Sequence, residues 1–293
     1  MPPESQRLLP VQVHLLTLLS VLAFASNSLL CRLALRHSAI DAASFTSVRL
    51  VTGAIVLAVI VRLRRGEAAR FAGDWPSAIA LFIYAAGFSW AYISLPAATG
   101  ALLLFGAVQI TMIGYGLWRG ERLKPRQTVG LLAACAGLAA MLLPGIHAPP
   151  WRGSLLMVCA GVAWGAYSLR GRGFGNPLAV TAGNFWRASM LAVVMSATLL
   201  QSAQLDVPGV SYALASGGLA SGVGYAIWYT AIRGLAATSA ATVQLSVPVI
   251  AAIGAVALLG EPITVHLAVT SLVILGGVAL VIVTQHRTEV SRN

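Results

Sequence analysis

The feature that most constrains how this chain can fold is a series of apolar runs, each about 20 residues long. One of them fills 235–259 and is ended by Gly260-Glu261-Pro262. A helical run of this length spans the hydrocarbon core of a bilayer, and a helix satisfies its own backbone hydrogen bonds there. The runs are continuous rather than alternating in ten-residue segments, which excludes a transmembrane barrel. The sequence therefore predicts an all-α, polytopic membrane protein.

Charged residues are scarce in this sequence. Only 9% of the 293 residues are charged, against about 25% in soluble domains. The net charge of +11 comes from basic residues scattered between apolar runs, which is typical of membrane-flanking anchors rather than of a nucleic-acid-binding surface. Cys31, Cys135 and Cys159 all lie inside apolar runs, which favours a packing role over disulfides or a metal site. We predict no metal and no cofactor.

The apolar runs predict ten transmembrane helices separated by short polar or Gly/Pro-containing connections. Ala23-Phe24-Ala25 has the form of a signal-peptidase site, but the apolar run continues beyond it to Leu35, so we interpret this segment as the first helix. The longest polar gap, 63–74, is too short for a soluble domain. The predicted spans are 11–35, 41–62, 75–94, 97–118, 126–144, 152–170, 178–200, 209–231, 235–259 and 264–284.

The distribution of Lys and Arg over the connections predicts the orientation. Most of the 19 basic residues fall in connections on the same side as the N-terminus, whereas the opposite connections retain Arg36 and Arg152. Loops rich in Lys and Arg stay in the cytoplasm. The sequence therefore predicts a bacterial-type inner (plasma) membrane protein with both termini cytoplasmic.

The two halves of the chain share a pattern. Gly120-Glu121 matches Gly260-Glu261, each followed by a glycine-rich helix, and Arg49 in the second predicted span has Arg187 as its counterpart in the seventh. The halves, 1–145 and 146–293, contain five predicted helices each. Because five is odd, the second half would be inverted in the membrane, and inverted repeats are typical of secondary transporters with a site between the repeats.

These motifs resemble a known family. Pro248 with Gly260-Glu261, the weaker copy at Gly120-Glu121 and Trp164-Gly165 resemble, over nearly the whole chain, the EamA branch of the drug/metabolite transporter superfamily. Within it, the stretch 164–172 is similar to the YddG-type aromatic amino acid exporters. The resemblance implies a ten-helix inner-membrane exporter whose cavity lies between helices 1–4 and 6–9, with helices 5 and 10 at the periphery.

The sequence departs from that family pattern in its first half, and it carries no carboxylate inside a predicted span. Phe24-Ala25 replaces the Trp-Gly pair, and Gln109 falls near the expected proline. Related small drug exporters couple protons through a membrane-embedded Glu. Its absence here disfavours a carboxylate-driven cation/proton antiporter and leaves facilitated diffusion or an unidentified coupling residue.

Three kinds of side chain are candidates for a substrate site. Arg49 and Arg187 could contact a substrate carboxylate, or could cap helix carbonyls. Deep aromatic rings suit apolar substrates and flat cations, although each could instead pack between helices. Amides and hydroxyls in mid-span should face the interior, as substrate ligands or as bonds between helices. The predicted substrate-binding residues are Asn27, Tyr84, Trp90, Trp164, Tyr167, Asn184, Gln244, Thr242, Arg49 and Arg187.

No catalytic constellation is present in the sequence, so we predict a protein that is not an enzyme. The five histidines are isolated from one another, near the ends of predicted spans. The first functional hypothesis is a secondary transporter that exports amino acids, preferably aromatic or apolar ones, by alternating access. The alternative is an exporter of drugs or other metabolites such as flat organic cations, and a third is a non-transporting assembly subunit. The expected partners are a small-molecule substrate and the bilayer, and the sequence leaves monomer and homodimer open.

Overall fold

The computed structural model is helical throughout the part that it describes, with no strand in those residues. It describes residues 10–64, 72–120, 123–143, 149–171, 176–231 and 243–290, the side chains of the last range as far as 283. A 3₁₀ turn at Leu200–Ser202 and a π-helical segment at Ser216–Val223 accompany the α-helices. The α-helices are α1 (Pro10–His37), α2 (Ala42–Leu63), α3 (Trp75–Ser94), α4 (Ala97–Trp118), α5 (Pro125–Leu142), α6 (Trp151–Arg170), α7 (Pro177–Thr198), α8 (Val207–Ala215), α9 (Gly224–Ala231), α10 (Ser246–Leu259) and α11 (Val265–Val290).

Most predicted spans match observed helices closely, because Pro and Asp residues mark the helix starts. Seven helices in the described ranges are long and apolar enough to cross a membrane, namely α1, α2, α3, α4, α5, α7 and α11. The eighth predicted span is helical along its whole length, but it consists of α8, the π-helical segment and α9 in succession. Of the ninth, residues 243–259 are described and include α10, and 235–242 lie outside the described residues. The number ten for the spans stays a prediction.

The outer surface of the helices is apolar, as a lipid-facing surface must be. Leu155, Val193 and Leu272 are 56%, 51% and 75% exposed, and they lie on α6, α7 and α11. Buried positions include several hydroxyl and amide side chains, such as Ser89 and Asn184. Because lipid offers no hydrogen bonds, polar groups belong in the interior of such a bundle.

Helices α3 and α6 pack antiparallel and define the two ends of the bundle. Arg170, the last residue of α6, donates from Nε to Ser77 Oγ (3.1 Å) near the start of α3. At the other end, a Cβ on Gly153 of α6 would meet Ser94 and Leu95, where α3 stops. The 20 residues of α3 span roughly 30 Å, so these two ends are well separated. We call them the Arg170 end and the Glu261 end.

Helices α5 and α11 form a peripheral pair outside the main bundle. They pack on each other and on α4. A Cβ on Gly130 would collide with the Gly277 carbonyl oxygen at 2.6 Å, so the two backbones touch at their glycines. Small residues allow such close approach between membrane helices.

Four parts of the chain meet at the Glu261 end around one buried ion pair. Arg32 Nε of α1 lies 3.0 Å from Glu261 Oε1, with both side chains no more than 14% exposed. Arg32 also donates to the carbonyl oxygens of Tyr92 (2.9 Å) and Ile93 (3.2 Å) at the end of α3. Glu261 Oε2 accepts from the backbone N–H of Ala97 at 2.7 Å. The carboxylate therefore caps the positive end of α4, which lacks a capping side chain of its own.

The Gly260-Glu261-Pro262 motif explains how Glu261 reaches this position. Gly260 adopts φ 64° and ψ 22°, the left-handed conformation that favours glycine, directly after α10 ends at Leu259. The N–H of Glu261 then donates back to the Ala255 carbonyl at 3.1 Å. This reversal turns the Glu261 side chain towards α1 and α4. The predicted helix end at Gly260 is confirmed.

We expect Arg32→Ala to lower the free energy of unfolding by about 3 kcal/mol, because it leaves Glu261 buried without its cation. The matched control is Arg170→Ala, which removes an arginine whose pair with Asp74 (3.2 Å) is much more exposed, at 45% and 30%. That change should cost about 1 kcal/mol or less. Reversible unfolding in mixed detergent micelles measures both variants. Equal losses in the two would contradict the special position of the Arg32–Glu261 pair.

Asp41 joins the start of α2 to the connection before α8. Its Oδ1 accepts from the N–H groups of Ala43 (2.9 Å) and Ser44 (3.0 Å), and its Oδ2 accepts from the N–H of Gln204 (2.9 Å). Partial burial works against ionisation of this carboxyl, but these hydrogen bonds outweigh it and hold the pKa of Asp41 below its usual 3.8. The ionised carboxylate therefore stabilises the fold.

Because the folded-state pKa of Asp41 is lowered, its contribution is complete above pH 3.8 and is lost as the pH falls through the folded-state value. Wild type should therefore unfold at a higher temperature than Asp41→Asn near neutral pH, and this difference should shrink below pH 3.8. Thermal unfolding in detergent across pH 3 to 7 tests this. A difference that stays constant over that range would refute the charge-based account.

Candidate functional site

A cavity of about 370 Å³ lies inside the bundle and reaches its Arg170 end. Its walls come from α1, α3, α4, α6, α7, the π-helical segment and α9, together with Gln244 before α10. Gly171 and Pro177, which flank the α6–α7 connection, form its outer part, and Phe88 of α3 marks its depth. Because α3 starts at Trp75, the cavity extends roughly 20 Å along that helix.

Nine aromatic rings line the cavity, with Trp164 of α6 at their centre. Its ring centroid lies 4.7 Å from that of Tyr84, 5.3 Å from Tyr167 and 5.6 Å from Tyr225. Tilted arrangements at these distances are favourable for aromatic pairs. The further lining rings are Phe24, Phe88, Phe105, Trp228 and Tyr229.

Helical periodicity brings these rings to one side of each helix. On α9, Tyr225, Trp228 and Tyr229 are three and four residues apart, and on α3, Tyr84 and Phe88 are four apart. Residues at these spacings lie one above the other on a helix face. Each of these helices therefore carries its aromatic residues on one face, and that face is directed towards the cavity.

A cluster of hydroxyl groups lies on the α7 side of the cavity. Tyr167 donates to Thr181 Oγ1 at 3.4 Å, and Thr181 donates to the Tyr229 hydroxyl at 3.0 Å. Asn184 follows Thr181 by three residues on α7, and its Oδ1 accepts from the N–H of Asp74 at 3.1 Å. These side chains tie α6, α7 and α9 together and supply polar groups to an otherwise aromatic wall.

A second polar network forms the deep wall of the cavity. Asn27 Nδ2 donates to the Tyr84 hydroxyl at 3.4 Å, and Asn27 Oδ1 accepts from Ser216 Oγ at 2.5 Å. Arg49 Nη2 donates to the same Tyr84 hydroxyl at 3.0 Å. This network joins α1, α2 and α3 to the first residue of the π-helical segment.

Arg49 lies behind this wall rather than in it. Its guanidinium carbon is 5.3 Å from the ring centroid of Tyr84 and 4.9 Å from that of Phe88, both of which line the cavity. The residue is only 2% exposed, and its Nε and Nη1 atoms have no hydrogen-bond partner among the described residues. Its charge is held by one hydroxyl and two ring faces.

Beyond Phe88 the bundle is tightly packed up to the Glu261 end. The rings of Phe88 and Tyr92 meet edge to face at 4.7 Å, and both are almost fully buried. The Tyr92 hydroxyl donates to the Ala97 carbonyl at 3.3 Å, next to the Arg32–Glu261 pair. The cavity thus approaches the middle of the bundle from the Arg170 end, and packed side chains separate it from the Glu261 end.

Comparison with known proteins assigns the chain to a family. The model of the EamA-like transporter family matches residues 151–283. A Pseudomonas aeruginosa protein called "Uncharacterized protein PA1977" is 55% identical over 268 residues, which cover 92% of this chain and 93% of that protein. Residues 151–283 thus form an EamA-like transporter domain. The protein is accordingly a multi-pass membrane transporter of the drug/metabolite type.

A solved crystal structure also matches the EamA-like fold seen here. It superposes with a TM-score of 0.68 at 20% sequence identity, over 95% of this chain and 99% of the other chain. At this identity the similarity concerns the fold alone. The family match over residues 151–283 confirms, at the level of the family, the resemblance inferred from Gly260-Glu261 and Trp164-Gly165, and the YddG-type specificity stays a prediction.

Six of the ten predicted site residues line the cavity described above. Trp90 is not among the lining residues, because it follows Tyr84 by six positions and Phe88 by two and so faces elsewhere on α3. Arg187 of α7 donates to the carbonyls of Ala72 (3.1 Å) and Gly183 (3.0 Å), and Thr242 lies outside the described residues. The six that line the cavity are Asn27, Tyr84, Trp164, Tyr167, Asn184 and Gln244.

Several lining residues were not predicted, although the three- and four-residue spacing of a helix face points to them. Tyr225 is the clearest case, since it stands four residues before Tyr229. Thr181 stands three residues before Asn184 on α7, and Phe88 four after Tyr84. In each case a residue already chosen had a neighbour on the same helix face.

The π-helical segment packs its glycines directly against α2. A Cβ on Gly217 would run into the carbonyl oxygen of Arg49, and one on Gly222 would come within 2.7 Å of Val56. Segments with i→i+5 hydrogen bonds occur often at functional sites. Here the segment also carries Ser216, Ala220 and Ser221 to the deep network or the cavity wall.

Gly217→Ala should therefore destabilise the protein by about 1 to 3 kcal/mol, because the added methyl group must displace α2. The matched control is Gly218→Ala, where the nearest atom to the added methyl, Thr52 Cγ2, is at an ordinary 3.4 Å. Unfolding in mixed micelles compares the two variants. A Gly217→Ala protein as stable as Gly218→Ala would contradict the close backbone contact.

Proposed function

We propose that this transporter exports amino acids with aromatic or apolar side chains from the cytoplasm across the inner (plasma) membrane. The observation that carries the proposal is the cavity around Trp164, in which aromatic rings from α1, α3, α6 and α9 surround a space that reaches only one end of the bundle. Amino acid side chains of the proposed class are bound well by such rings. The polar clusters beside them suit the amino acid backbone.

The size of the cavity supports a small substrate. Its volume of about 370 Å³ lies in the lower part of the usual range for small-molecule sites, about 300 to 1,000 Å³. The wall is mainly apolar with a few polar groups, which is the usual composition of such a site. In this proposal the substrate-binding residues are Asn27, Tyr84, Trp164, Tyr167, Asn184 and Gln244.

Export requires the cavity to load from the cytoplasm. The Arg170 end of the bundle also contains the end of α2, where Arg62 and Arg64 lie, and basic residues beside membrane spans favour the cytoplasmic side. In the proposed cycle the cavity loads from that side. The inverted halves 1–145 and 146–293 then rock against each other, the Arg170 end closes, and the Glu261 end opens.

The proposed transport is facilitated, down the substrate gradient. None of the described residues that line the cavity is an Asp or a Glu. The carboxylates in the described part of the chain lie at helix ends, where Asp41, Asp74 and Asp206 cap α2, α3 and α8. Carboxylates in these positions act as structural caps, which leaves the cavity without a carboxylate for proton coupling.

A second candidate is export of flat organic cations, which the aromatic lining favours. The faces of Trp164, Tyr225 and the rings around them attract cations electrostatically. Competition between such cations and an amino acid in one assay decides between the two candidates.

We expect proteoliposomes that contain the purified protein to release preloaded radiolabelled phenylalanine or tryptophan faster than empty liposomes. Trp164→Ala should reduce this rate at least tenfold, since it removes the ring that touches three other lining rings. The control is Trp151→Ala on the same helix, where the indole is 70% exposed and outside the cavity. That variant should transport as the wild type does.

Three results are informative for this test. No protein-dependent release of either amino acid would refute the proposed substrate class. Normal folding with lost flux in Trp164→Ala supports a binding role, whereas lost expression shows that the ring is needed for packing. Protein-dependent flux of flat cations without flux of amino acids would favour the second candidate.

A further inference from the structure

A buried positive charge lies directly behind the deep wall of the cavity, and the described residues give it no counter-ion. Arg49 is 2% exposed, and the two ion pairs found in the described residues involve Arg32 and Arg170 instead. Two of its three guanidinium nitrogens lack a hydrogen-bond partner there. An unpaired charge in a membrane protein is costly, and such charges usually mark a functional site.

The Tyr84 hydroxyl links this charge to the cavity. Both of its recorded bonds, from Arg49 Nη2 (3.0 Å) and from Asn27 Nδ2 (3.4 Å), use the phenolic oxygen as acceptor. A tyrosine hydroxyl has a single proton. That proton is therefore available to an acceptor in the cavity, and the guanidinium beside the oxygen makes it a stronger donor.

The orientation of Asn27 supports this assignment. Its Oδ1 lies 2.5 Å from Ser216 Oγ, a separation typical of O–H···O bonds and too short for an amide nitrogen. Its amide nitrogen therefore points to Tyr84, and one of the two N–H groups on that nitrogen remains for the cavity. The deep wall thus offers donors and a positive potential.

We propose that this wall recognises a substrate carboxylate, which accepts a hydrogen bond from the Tyr84 hydroxyl in front of the Arg49 charge. Tyr84 is the binding residue and Arg49 is a positioning residue, because the guanidinium acts through the tyrosine. The inference rests on the proposed function and narrows its substrate class to molecules that combine an aromatic or apolar group with a carboxylate. It also makes the cavity unfavourable for substrates whose only charge is positive.

The polar groups at the mouth of the cavity differ from those of the deep wall. The polar lining residues nearer the Arg170 end include Thr181, Asn184 and Ser168, which carry hydroxyl or amide groups and no charge. A zwitterionic substrate would therefore place its carboxylate at the deep wall and its ammonium group among the uncharged acceptors. The aromatic rings around Trp164 lie between these two regions.

The test uses three probes that share a phenyl ring: L-phenylalanine, 3-phenylpropanoate, which lacks the ammonium group, and 2-phenylethylamine, which lacks the carboxylate. Binding to the full-length protein in detergent is measured by calorimetry, and transport by counterflow in proteoliposomes. Wild type should bind the two carboxylates and discriminate against the amine at least tenfold.

Tyr84→Phe should weaken binding of both carboxylates by about 10- to 100-fold, the range expected for one hydrogen bond to a charged group. It should leave the weak binding of the amine unchanged. The matched control is Tyr92→Phe, which removes a buried hydroxyl of the same helix that donates to Ala97 and does not line the cavity. Tyr92→Phe should keep the wild-type preference for carboxylates.

Arg49 is tested by Arg49→Lys and Arg49→Gln. Arg49→Lys retains the charge and should keep most of the carboxylate preference, whereas Arg49→Gln should lose it. If Arg49→Gln does not fold, the Tyr84→Phe comparison decides by itself. The readout is the ratio of the binding affinities for the different probes. If Arg49 has a purely structural role, Arg49→Gln should weaken binding of all probes by the same factor. That result would refute a role of Arg49 in selectivity.

The outcomes separate this inference from the proposed function. If wild type binds and transports none of the three probes, the proposed function fails. If wild type transports phenylalanine but binds 2-phenylethylamine as tightly as 3-phenylpropanoate, amino acid export stands and the carboxylate inference fails. Equal losses for all probes in Tyr84→Phe would overturn it as well.

Discussion

The constraint on which this structure depends is that hydrocarbon provides no hydrogen bonds. Most polar groups inside the bundle therefore find their partners within the chain, and the pairs that result determine where helices meet. Glu261 shows this most clearly, because one carboxylate serves the guanidinium of Arg32 and the free N–H of Ala97. At the opposite end, Asn184 accepts a hydrogen bond from the backbone N–H of Asp74. The two ends are held by different chemistry, and the cavity lies nearer the more exposed of them.

The fold was largely readable from the sequence because its signals are local. The predicted span 97–118 and the observed α4 (Ala97–Trp118) coincide, since Pro96 marks the start and the apolar run ends at Trp118. The π-helical segment was not predicted as such. A change from i→i+4 to i→i+5 hydrogen bonds depends on how Gly217 packs against α2, and that contact joins residues far apart in the sequence.

The site was predicted only in part, for a similar reason. Polarity and depth identified Asn27 and Trp164, but they could not tell a residue that faces the cavity from one behind it. Arg49 is behind it because Tyr84 and Phe88 of another helix stand in front. Trp90 does not line the cavity, and its spacing from Tyr84 on α3 already places it off that helix face.

The π-helical segment between α8 and α9 has a consequence for how the cavity is composed. Each extra residue in a turn rotates the helix that follows by about 100° relative to an uninterrupted α-helix. The directions in which Tyr225 and Tyr229 point are therefore set by the hydrogen-bond register of Ser216–Val223. A shift of that register by one residue would turn both rings away from Trp164 while both flanking helices stayed intact. Rotation of α9 about its helix axis would in this way change which of its aromatic rings line the cavity, while α8 and α9 both stay helical.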